Sequence, residues 1–271
     1  MKIGVVGYGY VGHAVFDFFK DHYDVIWYDP FKDGSCTQED INQCNVAVVC
    51  VFTPTGPKGE CDVSTVEEVI NWIKSPLILI KSTVAIGTTQ RLRQETGKRI
   101  VFSPEYIGEG KYDPGQYTFN RSMLNHGFYT FGGDLSDTRE MVDLFVPVTG
   151  PNKKYYQTDS TTAEIVKYME NAFFATKLTF CYEMDQICNA YGVDYNVVRE
   201  LWLADPRVNT SHTCVFKTQG PPFDGKCLPK DLKALVQSAE QSGYLPELLK
   251  EVLSSCDRLQ KIRQGDLDSL E

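Results

Sequence analysis

The chain has 271 residues, of which 42% are hydrophobic and 23% charged, proportions that are ordinary for a globular protein. Acidic residues outnumber basic ones, 36 to 27, so the formal net charge is −9, and the sequence has no basic stripe of the kind that nucleic-acid binding requires. The longest apolar run, Val46 to Phe52, is far too short to span a bilayer, and no secretory signal follows Met1. We therefore expect neither nucleic acid nor membrane as a partner.

The sequence contains nine cysteines, with no CxxC pair and no zinc-type spacing. An odd number in a chain of this size argues against a disulfide framework and favours a reducing compartment. We therefore expect a cytoplasmic protein without a metal site. Most of the cysteines are expected to be buried and unreactive, because free cysteine behaves as a small hydrophobic side chain.

The first half of the chain alternates short β-branched runs with longer stretches of helical pattern. The runs predicted as strands are 2–6, 25–28, 46–52, 77–80, 99–102 and 128–131. Helical patterns at 11–22 and 37–43 are long enough to connect the first three strands. This alternation predicts an α/β fold of Rossmann type over residues 1–158, with a doubly wound, mostly parallel sheet.

After about residue 159 the pattern becomes helical. From Ser160 to Tyr191 apolar residues recur at helical spacing, and no glycine or proline intervenes before Gly192. This predicts one helix of roughly 30 residues, which exposes more apolar surface than short helices can cover. Shorter helices are predicted at 196–203, 229–242 and 246–262. We expect residues 159–271 to form an all-helical domain that dimerises through the long helix.

A glycine-rich motif, G-x-G-x-x-G, directly follows the first predicted strand and opens a helix. Its glycines permit a tight turn, close approach of a pyrophosphate and close helix packing, while the helix start supplies N–H donors. An aspartate ends the second strand, where a carboxylate accepts ribose hydroxyls and repels a 2′-phosphate. The motif therefore predicts NAD, in preference to NADP, as the cofactor. The cofactor-binding residues predicted here are Gly7, Gly9, Tyr10, Val11, Gly12 and Asp29.

Polar clusters follow three further predicted strands. They are Thr53-Pro54-Thr55, Ser82-Thr83-Val84 and Ser103-Pro104-Glu105. Ligands of open α/β sheets bind at the carboxyl ends of the strands, so three clusters in phase favour a functional site over three unrelated turns. Thr53 and Thr83 are accordingly predicted to contact the cofactor.

Lys167 and Asn171 are four residues apart on the long predicted helix, so they project from one face. An ammonium and a carboxamide side by side can donate to a developing oxyanion. Taken alone, however, a lysine on a helix is more often exposed and solvated. This pair therefore predicts a catalytic role only in combination with other signals.

The segment GKCLPKD at 225–231 favours a reactive cysteine. Pro229 suits the first turn of a helix, which places Cys227 just ahead of the helix N-terminus. There the helix dipole and the neighbouring lysines lower the pKa of a thiol, and Asp231 lies one turn further on as a proton acceptor or orienting group. The alternative is a structural cysteine at a loop–helix junction.

The segments GYGYVG, TPT, STVAIGTT, SPEYIGEG, AEIVKYMENAFFATK, DPR and GPPFDGKCLPKD, in this order, resemble the UDP-glucose/GDP-mannose dehydrogenase family. The similarity extends from Met1 to about Leu259. It implies NAD-dependent oxidation of the C6 alcohol of a nucleotide sugar to a carboxylate in two steps. It also implies that Cys227 holds the sugar as a thiohemiacetal and then a thioester, and that Lys167 and Asn171 are oxyanion donors.

The resemblance implies further roles. Asp231 would relay protons through a water, and Glu105 and Thr83 would position or activate the water that hydrolyses the thioester. Glu109 would lie near the nicotinamide, and Arg207 would contact the sugar of the partner subunit. The other predicted substrate contacts are Tyr106, Ile107, Phe223 and Gly225.

The sequence departs from the family pattern before the cysteine, where Pro222 and Asp224 replace two glycines, and at its end, where the family continues into a third domain. Two alternatives therefore stay open. A β-hydroxyacid dehydrogenase also pairs a Rossmann domain with a helical one and places Lys and Asn four residues apart, but it needs no cysteine. A short form that lacks the third domain could also be a non-catalytic NAD-binding remnant.

Overall fold

The computed structural model of the chain describes residues 1–107, 122–216, 220–223 and 227–264. The strands within them are β1 (Lys2–Val6), β2 (Asp24–Tyr28), β3 (Val46–Val49), β4 (Leu77–Ile80), β5 (Ile100–Phe102), β6 (Phe128–Gly132) and β7 (Lys154–Thr158). The helices are α1 (Tyr10–Phe19), α2 (Gln38–Asn42), α3 (Ser64–Trp72), α4 (Thr88–Thr96), α5 (Leu135–Thr149), α6 (Ser160–Ala190), α7 (Tyr195–Trp202), α8 (Leu228–Gln241) and α9 (Glu247–Gln264). One turn of 3₁₀-helix covers Met123–Asn125.

The strands form one sheet in the order β2-β1-β3-β4-β5-β6-β7. All neighbouring strands are parallel except β5 and β6, which are antiparallel. From β1 the chain crosses to β2 on one side and then returns to β3 on the other, so the strand order reverses at β1. The predicted doubly wound, mostly parallel sheet is confirmed, and its reversal point is where such folds bind ligands.

The central strands are buried on both faces. Val48 of β3 packs in a cluster with Phe19 of α1 and Phe145 of α5. Its neighbour Val49 packs on the opposite face with Ile70 of α3. Because helices cover both faces, β3, β4 and β5 contain almost no polar residues, which is why the sequence predicted them so clearly.

Two features of the sheet differ from the sequence-based predictions. β3 ends at Val49 rather than Phe52, because its pairing with β1 and β4 stops where those strands end, at Val6 and Ile80, and Phe52 is 63% exposed. The edge strand β7 was not predicted. Its residues are half-buried or exposed, so it lacks the apolar run that marks the inner strands.

The chain divides into two compact units. The first contains 1–56 and 61–167, and the second contains 57–60 and 168–271. The first two turns of α6 belong to the first unit because Ala163 packs in one of its core clusters and the buried Glu164 accepts N–H groups of Gly87 and Thr89 at 2.5 and 2.9 Å. The domain boundary expected at 158/159 stays a prediction.

The second unit is helical. The 31-residue helix α6 matches the predicted long helix to within one residue at its end. Its core joins Tyr182 of α6 to Leu232 of α8 and to Val252 and Leu259 of α9. Among the described residues, no helix combines the length and the apolar character needed to cross a membrane.

Candidate functional site

The glycine-rich turn has the geometry that a dinucleotide site needs. Gly7 has φ +87°, and a Cβ there would lie 2.9 Å from the backbone of Cys50 and Val51. A Cβ on Gly12 would lie 2.0 Å from the carbonyl oxygen of Gly7, so only glycine allows α1 to pack this closely. A Cβ on Gly9 would meet no atom of the described residues within 4 Å, which leaves space for a ligand beside the backbone.

Helix α1 presents its N-terminus at this turn. Gly9 is the N-cap residue, Tyr10 and Val11 begin the helix, and its first turn contains no acidic residue. Within the described residues, no side chain caps this helix end. The positive end of the helix dipole is therefore available to a phosphate.

Asp29, which follows β2, is held against the glycine-rich turn. Its carboxylate accepts the N–H of Tyr8 at 2.9 Å and that of Phe31 at 3.1 Å. Lys32, which the sequence did not indicate, donates to the carbonyl of Tyr8 at 2.6 Å. The ring of Tyr8 stacks on Trp27, with centroids 4.1 Å apart, so these contacts fix the carboxylate at the edge of the turn.

The structure brings together the three polar clusters at the carboxyl ends of β3, β4 and β5. The hydroxyl of Thr53 donates to the carbonyl of Thr83 at 2.8 Å, which joins the first two clusters. Lys81 directly precedes the second cluster, and its ammonium donates to the carbonyl of Pro104 in the third cluster at 2.8 Å. These segments therefore form one continuous edge of the sheet.

Glu105 is a buried anion on this edge. One carboxylate oxygen accepts the N–H groups of Tyr106 and Ile107 at 2.7 Å each, and the other lies 3.1 Å from Nζ of Lys81. Burial raises the pKa of Glu105, but the ammonium of Lys81 and the N–H of Ile107 outweigh it and hold that pKa below its usual value. Glu105 is therefore ionised at neutral pH.

Lys167 of α6 is fixed beside Glu105. Its ammonium donates to the backbone carbonyl of Glu105 at 2.6 Å and lies 5.8 Å from the ring centroid of Tyr106. The side chain is half-buried, so it does not have the solvated environment that is common for lysine. An ammonium held in this way keeps further N–H groups for a ligand.

In the second unit, Cys227 and Asp231 are joined through the first turn of α8. Cys227 is the N-cap residue, and its carbonyl accepts the N–H of Asp231 at 2.9 Å. The buried amide of Asn171 on α6 donates to Oδ2 of Asp231 at 2.5 Å, and Nζ of Lys230 lies 2.7 Å from Oδ1. An exposed thiol thus begins a helix whose first turn contains a buried, oriented carboxylate.

The other cysteines differ from Cys227. None of the nine is in a disulfide, and Cys227 is the one classed as exposed among these described residues. Burial raises the pKa of Cys44 and of Cys256 to about 11, which keeps both thiols protonated at neutral pH. Accessibility therefore favours Cys227 as the reactive cysteine.

The remaining predicted contacts are placed as follows. The side chain of Arg207 is 87% exposed and pairs with the carboxylate of Asp205, with Nη2 2.6 Å from Oδ2. Phe223 is buried in the core of the second unit. Glu109 and Gly225 lie outside the described residues.

Sequence reasoning missed two buried charges, Lys81 and Glu164. Lys81 directly continues the apolar run of β4, and a lysine in that position was a usable signal. Glu164 lies in the first turns of α6, and its carboxylate caps the start of α4, 75 residues earlier in the chain. No local pattern indicates that contact.

Comparison with known proteins identifies the family. Residues 30–114 match the family model "UDP-glucose/GDP-mannose dehydrogenase family, NAD binding domain", and residues 161–258 match the model of the central domain of the same family. A relative from Pseudomonas aeruginosa, "UDP-glucose 6-dehydrogenase", is 30% identical over 230 residues, which cover 79% of this chain and 49% of the relative. The chain thus spans about half the length of the curated relatives it matches.

Two solved structures are similar in fold. A UDP-glucose dehydrogenase from Pyrobaculum islandicum superposes with a TM-score of 0.80 at 24% identity, covering 97% of this chain and 71% of that one. A 3-hydroxyisobutyrate dehydrogenase from Mycobacterium tuberculosis superposes with a TM-score of 0.68 at 16% identity, covering 98% and 95%. At these identities the likeness shows the fold alone. The matched NAD binding domain, with the glycine-rich turn that precedes it in the same sheet, identifies NAD as the cofactor.

Proposed function

The chain belongs to the UDP-glucose/GDP-mannose dehydrogenase family, and on that premise we propose that it oxidises the C6 alcohol of a nucleotide sugar to a carboxylate. One observation supports this most strongly. The exposed Cys227 begins α8, and one turn later the buried Asp231 is held by the amide of Asn171. A nucleophile with an oriented proton acceptor is what a covalent oxidation requires.

The first unit would hold the cofactor. The backbone of the glycine-rich turn and the N-terminus of α1 would bind the pyrophosphate, and Asp29 would accept the ribose hydroxyls. The carboxylate of Asp29 favours NAD over NADP, because a 2′-phosphate would meet a negative charge. When bound, NAD accepts the hydride of each oxidation.

Lys167 and Asn171 would stabilise the negative charge on the substrate oxygen. Each already donates one hydrogen bond within the protein, to Glu105 and Asp231 respectively. An ammonium has three N–H groups and a carboxamide two, so both retain a donor for an oxyanion. Asp231 would accept the alcohol proton through a water.

Cys227 would divide the oxidation into two steps. Its thiolate attacks the aldehyde to form a thiohemiacetal, whose oxidation gives a thioester. Water then hydrolyses the thioester, and Glu105 and Thr83 would position or activate that water. The family resemblance supplies these roles, and the ionised state of Glu105 is consistent with them.

We also propose that the protein is a homodimer through α6. Several large apolar side chains on this helix are exposed, with spacings of four, seven and seven residues: Met169, Phe173, Phe180 and Ile187. A stripe of this kind is typical of a helix–helix interface. Arg207, which is almost fully exposed in one protomer, would then contact the sugar in its partner.

Nine cysteines without a disulfide favour the cytoplasm as the location of the protein.

A panel of nucleotide sugars and free sugars, assayed for NADH formation and for product mass, tests this function. A nucleotide-sugar dehydrogenase yields two NADH per substrate and a carboxylate. The β-hydroxyacid dehydrogenase alternative, which the fold also supports, yields one NADH. A non-catalytic NAD-binding protein yields none, and that result would overturn the proposal.

A further inference from the structure

Lys81 forms a buried ion pair that the mechanism above does not use. It directly follows β4, and its side chain is only 3% exposed, while that of Glu105 is 6% exposed. The ammonium lies 3.1 Å from Oε2 of Glu105 and donates to the carbonyl of Pro104 at 2.8 Å. Lys81 therefore contacts both the side chain and the preceding backbone of Glu105.

Stability alone does not account for this pair. Two buried charges lose their hydration, and an apolar pair of similar volume stabilises a fold at least as well. What an apolar pair cannot provide is a buried carboxylate that stays ionised. Oε1 of Glu105 accepts two backbone N–H groups, whereas Oε2 faces only the ammonium of Lys81, at 3.1 Å, among the described residues. That oxygen can therefore accept a proton.

We propose that Lys81 is a positioning residue that holds Glu105 as an oriented anion, with Oε2 as the acceptor for a proton. This inference rests on the proposed function for its catalytic consequence. In thioester hydrolysis the water oxygen bonds to the thioester carbon, and one proton of the water passes to Glu105. The C–S bond breaks with its electron pair on the sulfur of Cys227. The proton on Glu105 then passes to solvent, the sulfur of Cys227 is left as a thiolate, and the carboxylic acid product loses its proton to give the carboxylate.

Other titratable groups face Glu105, but none replaces Lys81. Burial raises the pKa of Cys50 and of Tyr129, so both are neutral near pH 7. His126 also lowers the pKa of Glu105, but by less than Lys81 does. Lys167 is bonded to the backbone carbonyl of Glu105 and not to its carboxylate. Lys81 is thus the main charge that favours the anion.

Carbon-13 NMR of glutamate-labelled protein measures the charge of Glu105 directly, and Glu105→Gln identifies its signal. In the unaltered chain Glu105 should stay ionised to below pH 4.5, and in Lys81→Met it should titrate at least one pH unit higher. Lys98→Met is the matched control, because Lys98 is partly buried but donates to the carbonyls of Ile70 and Asn71. It should leave the titration unchanged.

Two results would overturn the proposal. One is a Glu105 titration in Lys81→Met that equals that of the unaltered chain. The other is a titration midpoint of Glu105 above the usual pKa of glutamate in the unaltered chain. That measurement does not depend on the folding of any variant. If Lys81→Met does not fold, Lys81→Gln is used in its place. Lys81→Arg keeps the positive charge and should keep Glu105 ionised.

An activity measurement tests the catalytic consequence separately. Lys81→Met should accumulate a thioester on Cys227 at pH values below the raised pKa of Glu105, where hydrolysis should slow about tenfold for each further pH unit, and hydrolysis should recover above that pKa. A loss of hydrolysis in Lys81→Met that does not recover at higher pH would indicate that Lys81 has a structural role only. If the unaltered chain oxidises no sugar, the proposed function fails, while the NMR titration still decides whether Lys81 controls Glu105.

Discussion

The side-chain amide of Asn171 on α6 donates to the carboxylate of Asp231 on α8 at 2.5 Å, and both side chains are buried. This bond connects the long helix to the first turn of the helix that Cys227 begins. It fixes one oxygen of Asp231 and leaves the second beside Lys230. The carboxylate that follows Cys227 is therefore oriented before any substrate binds.

Asn171→Leu tests this bond. It removes the donor and leaves Oδ2 of Asp231 buried without it, so the free energy of unfolding should fall by about 1–3 kcal/mol. Urea denaturation measures the loss. Asn189→Leu, an exposed position on the same helix, should change stability little. Equal stability of the two variants would show that the bond has no energetic role.

The thiol of Cys227 should be alkylated before the other eight cysteines. It is exposed, whereas most of the others are buried, and burial raises the pKa of Cys36, Cys44 and Cys256. Brief treatment with iodoacetamide followed by peptide mass spectrometry measures the order of labelling. Bound nucleotide sugar should protect Cys227 and leave labelling of Cys36 unchanged. Faster labelling of Cys36 or Cys214 would contradict the assignment.

Asp29→Ala should reduce the preference for NAD over NADP. The carboxylate of Asp29 faces the position of the ribose hydroxyls, so the preference should be worth a few kcal/mol in the unaltered chain. Binding of both dinucleotides by calorimetry measures it. Asp33→Ala removes a nearby exposed carboxylate and serves as the control. Equal or tighter binding of NADP by the unaltered chain would contradict the prediction.

Glu164 should make stability depend on pH. Burial raises its pKa above the usual 4.5, so the folded chain binds a proton more tightly than the unfolded chain. Its contribution to stability is therefore greatest at low pH and falls as pH rises from about 4.5 through the folded-state pKa. As the pH rises across that range, the free energy of unfolding of the unaltered chain should fall relative to that of Glu164→Gln. Glu183→Gln, an exposed change on the same helix, should show no such trend.

Disrupting the apolar stripe on α6 should separate the homodimer. Phe173 and Phe180 are 59% and 49% exposed, so a glutamate at either position should not unfold the chain but should repel a second copy. Light scattering at micromolar concentration should show a dimer for the unaltered chain and a monomer for Phe173→Glu. Leu248→Glu, at an exposed apolar position on α9, should remain a dimer. A monomeric unaltered chain would contradict the proposal.

Much of the fold could be predicted because its signals are local. The inner strands are continuous apolar runs, and α6 shows helical periodicity without interruption. The glycine-rich turn also follows from local sequence, because backbone geometry alone requires its residues. The edge strand β7 gives no such signal, since its residues are half-buried or exposed and its pairing with β6 is a tertiary contact.

The pairings within the candidate site could not be predicted in the same way. Asn171 and Asp231 are 60 residues apart in the chain, and no spacing rule connects them. Lys81 and Glu105 follow different strands, and only the order of the sheet brings them together. Residue type suggested Glu105 and Asp231, but tertiary packing determines which charge each one meets.

The most direct test of the central claim is the amount of NADH formed per nucleotide sugar by the unaltered chain and by Cys227→Ala. Cysteine chemistry predicts two NADH and a carboxylate for the unaltered chain, because the aldehyde is oxidised as a thiohemiacetal. Cys227→Ala should still bind NAD but should form at most one NADH, slowly, with an aldehyde as product. Unchanged rate and product in Cys227→Ala would show that this chain does not oxidise its substrate through a thioester.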